Sequence, residues 1–248
     1  MIDAGLPNWL HWLESCPSTN TWALNHLAQL KSGDVVFTPR QTAGRGQHGR
    51  IWHAPIGVLT ASFVIDGVAI SDLPSLSLIA GLATIYAIED LCPSLQSVLQ
   101  LKWTNDVMLG GKKLAGILCE SVIQGANGRV VVGVGINQSA QFNESEIDSK
   151  TLSRITSLHE WIVEVPTESQ LLERLRYYLL QSASLLSHSR GLNALLPAIR
   201  QRDFLYGKTV EIDSIVGTAI GINDQGYLQI QLPDGSDRSI LSGHVGFT

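Results

Sequence analysis

The sequence predicts an α+β fold: a mixed or antiparallel central sheet with helices packed on it, followed by a small barrel-like β-domain. Apolar residues recur at helical spacing on both sides of a strand-rich stretch between Leu99 and Ile136, which contains glycine-rich turns of the hairpin type. After Gly207 the pattern changes to short β-prone runs punctuated by glycine. The predicted domains are residues 1–204 and 205–248.

The elements of the larger predicted domain follow from the spacing of its apolar residues. Helices are expected where this spacing is close to 3.6 and cap residues precede it, and strands where β-prone residues run between turns. The predicted strands are Leu6 to Leu13, Asp34 to Thr38, Val58 to Ile65, Leu99 to Trp103, Asp106 to Leu109, Leu114 to Ile123 and Val130 to Ile136. The predicted helical stretches are Ser18 to Leu30, Leu73 to Leu91 and Ser153 to Gln201. In the tail, the predicted strands are Thr209 to Ile212, Thr218 to Ile222, Tyr227 to Leu232 and Arg238 to Leu241.

Composition narrows the class of protein. Of the 248 residues, 44% are hydrophobic and only 16% charged, which excludes a disordered chain and allows a sizeable core. The uncharged helical run from Ser75 to Ile88 is shorter than the ~20 residues of a membrane span, so we expect no membrane partner. There is no basic leader, and the three cysteines have no CxxC spacing, so we predict a cytoplasmic protein with reduced thiols.

The most informative charge pattern is a segment without acids. Between Val35 and Ile65 there is no Asp or Glu, whereas Arg40, Arg45 and Arg50 lie inside the segment. Glycine lets backbone N–H groups approach a ligand, and arginine offers charge-assisted hydrogen bonds to phosphate or carboxylate. We therefore expect an anion at this loop, although a solvated surface loop is the plain alternative.

The same loop also satisfies the G-x-G-x-x-G pattern of dinucleotide-binding turns, with Asp66 near the expected distance. A parallel crossover needs a helix of about a dozen residues after the last glycine. The stretch from Arg50 to Gly57 is only eight residues long and contains Pro55. The spacing therefore argues against a Rossmann unit.

Two further segments combine charge or glycine with predicted strand ends. Lys102 to Asp106 and the following lysines could bind a nucleotide, with Asp106 holding Mg²⁺ and a lysine meeting an oxyanion. A solvated hairpin tip at Lys112 and Lys113 is the alternative. The glycines of Gly133 to Asn137 indicate a close backbone approach to a ligand or to a neighbouring element.

Taken in order, these segments resemble biotin protein ligase of the short form without an N-terminal DNA-binding domain. The family pattern runs through S-T-N, Q-x-x-G-R-G-R-x-G-R-x-W, K-W-P-N-D, K-L-A-G-I-L and G-x-G-I-N. These stand here at Ser18 to Asn20, Gln41 to Trp52, Lys102 to Asp106, Lys113 to Leu118 and Gly133 to Asn137. The tail from Tyr206 to Val245 resembles the family's small C-terminal β-domain, so the resemblance covers nearly the whole chain.

The resemblance implies a role for each matching residue. Arg45 and Gly46 belong to the loop that closes over biotin and the adenylate, and Lys113 meets the carboxylate and the α-phosphate. The residues implied to bind biotin are Ser18, Thr19, Asn20, Gln41, Arg45, Gly46, Gln47, Lys113 and Gly116. Those implied at the nucleotide are Arg50, Trp52, Asn105, Asp106, Lys113, Gly133, Gly135 and Asn137. Lys113, Arg45 and Asp106 are the implied catalytic residues, with Asp106 also the implied Mg²⁺ ligand.

Two positions depart from the family pattern. Gln47 stands where the family often has arginine, which removes one cation from the loop and puts a direct phosphate role there in doubt. Thr104 replaces the usual proline of K-W-P-N-D.

The implied activity is an ATP-dependent ligation. Biotin is activated as biotinyl-5'-adenylate and then transferred to a lysine of a biotin carboxyl carrier protein, an acetyl-CoA carboxylase subunit. ATP and Mg²⁺ are the implied co-substrate and ion, biotin is the substrate, and no tightly bound cofactor is expected.

The sequence gives less support to three other functions. A lipoate-type ligase of similar fold lacks support because the loop is of the biotin type, and retention of Lys113 and Asp106 argues against a silent biotin-binding module. Only 17 residues precede Ser18 and the net charge is −5, so we expect no DNA partner. A homodimer is possible, and nothing in the residues decides it.

Overall fold

A computed structural model describes residues 5–124, 127–143, 147–186 and 191–247 of the chain. Within these ranges it contains twelve β-strands and five α-helices, organised around two sheets. The first sheet has seven strands and the second has five. The α+β class predicted from the sequence is confirmed.

The seven-stranded sheet is mixed, as predicted. Its strands are β1 Leu10–Trp12, β2 Val35–Thr38, β3 Val58–Ala69, β4 Gln100–Lys102, β5 Asp106–Leu109, β6 Lys112–Gln124 and β7 Asn127–Asn137. They lie in the order β1-β2-β3-β7-β6-β5-β4, and the pairing of β1 with β2 is parallel while the other pairings are antiparallel. Because side chains alternate between the two faces of a strand, each strand here serves two different environments.

The helices divide between the two faces of this sheet. They are α1 Thr19–Asn25, α2 Leu76–Leu91, α3 Ser149–Leu152, α4 Glu168–Leu185 and α5 Leu196–Gln201. Helix α2 is buried almost all round, between β6 on one side and α4 on the other. Helix α1 packs on the opposite face through Ala23, beside Val36 and Val131. The rest of that opposite face is left for the cleft described below.

The helices are shorter than their apolar patterns suggested. In the stretch Ser153 to Gln201, α4 begins only at Glu168, because Pro166 precedes it and Thr167 with Gln170 forms a capping box. Pro74 likewise lies in a 3₁₀ segment, Ile70–Ser75, that precedes α2. Apolar spacing therefore predicted the buried faces of the helices correctly. It predicted helices that are too long, because proline and cap residues end them at turns that the spacing does not show.

The second sheet is antiparallel and open. Its strands are β8 Thr209–Ile212, β9 Ile215–Ile222, β10 Leu228–Gln231, β11 Asp237–Ile240 and β12 Val245–Phe247, in the order β11-β10-β9-β8-β12. Over the part of the chain that the structure describes, β11 and β12 form its two edges and do not pair, so the predicted barrel-like shape is not a closed barrel. The sequence also missed β12, which is three residues long and contains Gly246.

The two sheets share one hydrophobic core. Leu101 and Trp103 of the first sheet region belong to the same buried cluster as Val210 and Leu228 of the second. The indole Nε1 of Trp103 donates a hydrogen bond of 2.9 Å to the carbonyl of Gly226. A boundary between residues 204 and 205 stays a prediction, because packing continues across it.

One described helical stretch, Ile70–Leu91, is long and apolar enough to cross a membrane, and 61% of an 18-residue apolar part of it is buried inside the protein. It contains α2, whose residues Leu82, Ile85 and Ile88 are fully buried against the sheet and α4. Its apolar composition is that of a core helix.

A buried ion pair fixes the end of α2 to the segment after α5. The Glu89 carboxylate accepts hydrogen bonds from Arg202 Nη1 at 2.6 Å and Nη2 at 2.9 Å, and a third of 2.8 Å from the Ser97 backbone N–H. The side chains of Glu89 and Arg202 are only 7% and 12% exposed. Removing one partner would leave the other charge buried without compensation.

We therefore expect Glu89→Ala to lower the free energy of unfolding by about 3–5 kcal/mol. The control is Asp224→Ala, which breaks the Arg200–Asp224 pair; the Asp224 side chain is 77% exposed, and its loss should cost at most ~1 kcal/mol. Urea unfolding followed by circular dichroism measures both. Losses of equal size would contradict the assignment of Glu89 as a core anchor.

Candidate active site

A single cleft on the α1 face of the mixed sheet brings together residues that are far apart in sequence. Of the predicted site residues, all but Asn137 line it: Ser18, Thr19, Asn20, Gln41, Arg45, Gly46, Gln47, Arg50, Trp52, Asn105, Asp106, Lys113, Gly116, Gly133 and Gly135. The cleft also has walls that the sequence did not indicate. Residues 243–245 of the second sheet region form one of them.

The floor of the cleft is made of glycine. Gly116 on β6 pairs with Gly135 on β7, and Gly133 lies two residues further along β7 on the same face. A Cβ atom on Gly135 would collide with the Trp52 indole, and one on Gly133 would collide with the Asn20 amide. The glycines therefore create the space that two other site residues occupy, which is the close approach that glycine in a strand indicates.

The arginine-containing loop forms a small hairpin over this floor. Trp52 N–H donates to the Gly44 carbonyl at 2.9 Å, and Gly46 N–H donates to the Arg50 carbonyl at 2.8 Å. His48 lies at the tip with a φ of 55°, in the left-handed region. The next regular element is β3, with no helix between, so the Rossmann alternative is excluded by the structure as well.

Trp52 lies between the glycine floor and Lys113. The Lys113 Nζ is 5.4 Å from the centre of the Trp52 ring, within the range of a cation–π contact. The Trp52 Nε1 is buried and has no hydrogen-bond partner among the described residues. Stacking of this ring on adenine stays a prediction.

Lys113 and Asp106 face each other across neighbouring strands. Lys113 Nζ is 2.7 Å from Asp106 Oδ1, a close ion pair in which Oδ1 nonetheless receives no hydrogen bond of good geometry. The ammonium therefore retains donors for another anion. The neighbouring Lys112 is exposed and does not line the cleft, so the hairpin-tip alternative holds for Lys112 but not for Lys113.

The residues of α1 that are predicted to bind biotin are held in place by hydrogen bonds, as is the Ser18 cap that precedes the helix. Thr19 N–H donates to Gln41 Oε1 at 2.9 Å, and Ser18 Oγ caps the helix by accepting from Thr21 N–H. Ser62 on β3 donates to Asn20 Oδ1 at 2.6 Å and lies 2.7 Å from Thr19 Oγ1. Ser62 was not predicted from the sequence; the available signal was its polar side chain within the largely apolar run of β3.

Asn105 and Asn137 contact the backbone of the site. Asn105 Nδ2 donates to the Ile117 carbonyl at 2.8 Å and shapes the turn before β5. Asn137 Nδ2 donates to the Thr156 carbonyl at 2.9 Å and more weakly to Lys113, at 3.4 Å. Asn137 thus supports the strand end beside Lys113 from outside the cleft, and its predicted nucleotide contact stays a prediction.

Gln47 and Thr104, the two residues that depart from the family pattern, contact each other. Thr104 Oγ1 donates a long hydrogen bond of 3.4 Å to Gln47 Oε1, which links the loop tip to the β4–β5 turn. Arginine at position 47 would bring a charge to this contact, and proline at position 104 would lack the hydroxyl. The pair forms a neutral contact on the cleft wall.

The remaining wall contains basic residues; Lys102 lies in the segment that was predicted to bind a nucleotide, whereas His244 was not predicted. His244 from the second sheet region and Lys102 from β4 line the cleft beside Arg50. Burial lowers the pKa of Lys102, and burial together with the positive charges of Arg50 and Lys102 lowers the pKa of His244. The Arg50 and Lys102 side chains bring positive charge to this end of the cleft, which suits an anionic ligand.

Comparison with known proteins agrees with this geometry. The model of the biotin/lipoate A/B protein ligase family matches residues 12–137, and that of the biotin protein ligase C terminal domain matches residues 207–247. The chain belongs to the biotin/lipoate A/B protein ligase family. Because the C-terminal match is to biotin protein ligases, the predicted enzyme class is confirmed.

Individual relatives cover most of the chain. A biotin–[acetyl-CoA-carboxylase] ligase from Mycobacterium tuberculosis is 35% identical over 79% of this chain and 72% of its own length. The bifunctional ligase/repressor BirA of Bacillus subtilis is 28% identical over 82% of this chain and 63% of its own length. The solved structure of the Aquifex aeolicus biotin protein ligase with biotin and ATP has a TM-score of 0.82 and 25% identity, covering 96% of this chain and 98% of that one.

The glycine floor generates a test. Gly135→Ala should displace the Trp52 indole, because the added Cβ has no room beneath the ring. We expect a red shift of tryptophan emission that is absent when the same substitution is made in a Trp52→Phe background. Gly246→Ala is the control, since a Cβ there lies no closer than 3.6 Å to its neighbours. Unchanged emission in Gly135→Ala would contradict the packing of Trp52 on Gly135.

Proposed function

We propose that this chain is a ligase that activates biotin with ATP as biotinyl-5'-adenylate and transfers it to a lysine of a biotin carboxyl carrier protein. The observation that supports this most directly is the cleft itself: Lys113 beside Asp106, and the Arg45 loop folded over a glycine floor. The relatives are ligases of this kind by name, and the Aquifex structure contains biotin and ATP.

Each ligand suits one end of the cleft. The polar groups around α1, with Gln41, Gly46, Gln47 and Gly116, can surround a small ring of hydrogen-bonding groups such as the biotin ureido ring. The opposite end has Trp52 for a base and Arg50, Lys102 and His244 for phosphates. Lys113 lies between these ends, where a biotin carboxylate and an α-phosphate would meet.

The first step joins two anions. A biotin carboxylate oxygen attacks the α-phosphorus of ATP, the bond from that phosphorus to the bridging oxygen breaks, and pyrophosphate leaves. The Lys113 ammonium and the guanidinium groups of the loop offset the repulsion and stabilise the charge that develops at phosphorus. Water must be excluded from the adenylate, which gives the folded loop a covering role.

The Asp106 carboxylate is suited to bind the Mg²⁺ ion that accompanies ATP. Mg²⁺ is held through one or two carboxylates together with phosphate oxygens and water rather than by a full protein cage. The described residues contain no group of three or more His, Cys, Asp or Glu side chains suited to a metal, but they place the Asp106 carboxylate in the cleft. Asp106 would hold the ion that ATP carries in, and that ion would supply further charge neutralisation.

The second step forms an amide. The neutral ε-amine of the acceptor lysine attacks the carbonyl carbon of the mixed anhydride, AMP leaves with the former carboxylate oxygen, and the amine loses a proton.

The described cysteines Cys16, Cys92 and Cys119 are all free thiols, which accords with a reducing compartment where ATP is available. We therefore place this reaction in the cytoplasm.

The deciding experiment is ATP–pyrophosphate exchange in the purified protein, with biotin, lipoate or neither added. We expect exchange that depends on biotin and is absent with lipoate. Exchange with lipoate alone would replace the proposed substrate, and no exchange with either acid would contradict an adenylating enzyme.

Lys113→Ala should reduce biotin-dependent exchange by about two to three orders of magnitude, the scale of losing one group that stabilises charge in the transition state. The control is Lys112→Ala, which removes the exposed neighbouring lysine and should retain exchange. Thermal unfolding checks that both variants are folded. Near-normal exchange in folded Lys113→Ala would remove Lys113 from the mechanism.

A further inference from the structure

Arg45, the arginine between two glycines of the loop, has a fixed partner on the sheet. Arg45 Nη2 donates to Glu120 Oε1 at 2.7 Å and Nη1 to Glu120 Oε2 at 3.3 Å, so the guanidinium engages the carboxylate with both nitrogens. Nη1 also donates to Thr21 Oγ1 on α1 at 3.0 Å. A forked contact of this kind restricts the orientation of the arginine as well as holding it.

Glu120 is itself held from the interior. Asn20 Nδ2 donates to Glu120 Oε2 at 2.9 Å and to the Leu118 carbonyl at 3.1 Å. The Oδ1 of Asn20 accepts from Ser62, a buried residue of β3, and the amide occupies the space that Gly133 leaves open. A continuous set of hydrogen bonds therefore connects the loop arginine to the centre of the sheet.

Glu120 supplies the acidic partner that Arg45 lacks within its own segment. The segment 35–65 contains no Asp or Glu, so its arginines lack acidic partners nearby in sequence. Glu120 provides one from β6, at the edge of the cleft; its side chain is 23% exposed and that of Arg45 is 45% exposed. The Arg45–Glu120 ion pair is thus exposed enough to break when the loop moves, and buried enough for its loss to affect the position of the loop.

We propose that Glu120 is the positioning residue that anchors Arg45, and through it the loop, over a bound adenylate. This inference rests on the proposed function. Glu120 touches neither ligand in this role; it limits the escape of the intermediate by keeping the loop in place. The opposite possibility is that Glu120 competes with the ligand phosphate for Arg45, in which case its removal would retain the adenylate longer.

The test uses the full chain loaded with radiolabelled biotinyl-adenylate, whose release is followed after a chase with unlabelled adenylate. Glu120→Gln keeps the shape of the side chain and an oxygen for Asn20 but removes the charge. We expect release about fivefold faster than in the unmodified protein, the scale of one half-exposed ion pair. Asp66→Asn is the matched control, since it removes an acid that pairs with Arg129 away from the cleft, and release should be unchanged.

A double-mutant cycle separates anchoring from a general loss of structure. In an Arg45→Gly background, Glu120→Gln should add no further acceleration, because the group that it anchors is gone. Release that is unchanged or slower in Glu120→Gln, or equally accelerated in both backgrounds, would overturn the inference. Glu120→Asp, which keeps the charge but shortens the reach, is the second variant if Glu120→Gln does not fold, and faster release is again expected.

The outcomes distinguish this inference from the function on which it rests. If the unmodified protein shows biotin-dependent exchange and Glu120→Gln releases the adenylate at the normal rate, only the anchoring role fails. If the unmodified protein shows no exchange, the proposed function fails and the anchoring role with it.

Discussion

The arrangement of the site depends on the absence of side chains at three positions of two adjacent strands. Gly116, Gly133 and Gly135 leave one face of the sheet bare where a larger residue would fill the cleft. The indole of Trp52 and the amide of Asn20 enter this space. Since β-strand side chains alternate, the same strands present apolar residues to the main hydrophobic core on the other face, so the glycines remove little from that core.

Electrostatics gives the cleft its second constraint. Its cations come from the loop, from β4 and from β6, while Asp106 and Glu120 supply the nearby acids. Each acid engages one cation and leaves others available. The proposed joining of a carboxylate to a phosphate needs this excess. Burial is the main cause of the lowered pKa values of Lys102 and His244, and neighbouring positive charges lower both pKa values further.

The second sheet is part of the site rather than an appendage. It shares the hydrophobic cluster of the first sheet, and its β12 region brings residues 243–245 to the cleft wall. The hydrogen bond from Trp103 to Gly226 fixes it beside the turn that contains Asn105 and Asp106. Movement of this sheet would therefore alter the end of the cleft where we place the phosphates.

The sequence alone determined the fold class and most strands, because these depend on local periodicity. The resemblance of its motifs to the biotin protein ligase family indicated which residues would share a site. It placed Lys113, Arg45, Trp52 and the glycines correctly in one cleft. Only the tertiary structure decided what pairs with them: Glu120, Ser62 and His244 reach the site through strand register and domain packing, which bring together residues up to about two hundred positions apart. Apolar spacing alone misjudged the helix limits, because caps and proline set them. The open edges of the second sheet depend on strand pairing, which only the tertiary structure decided.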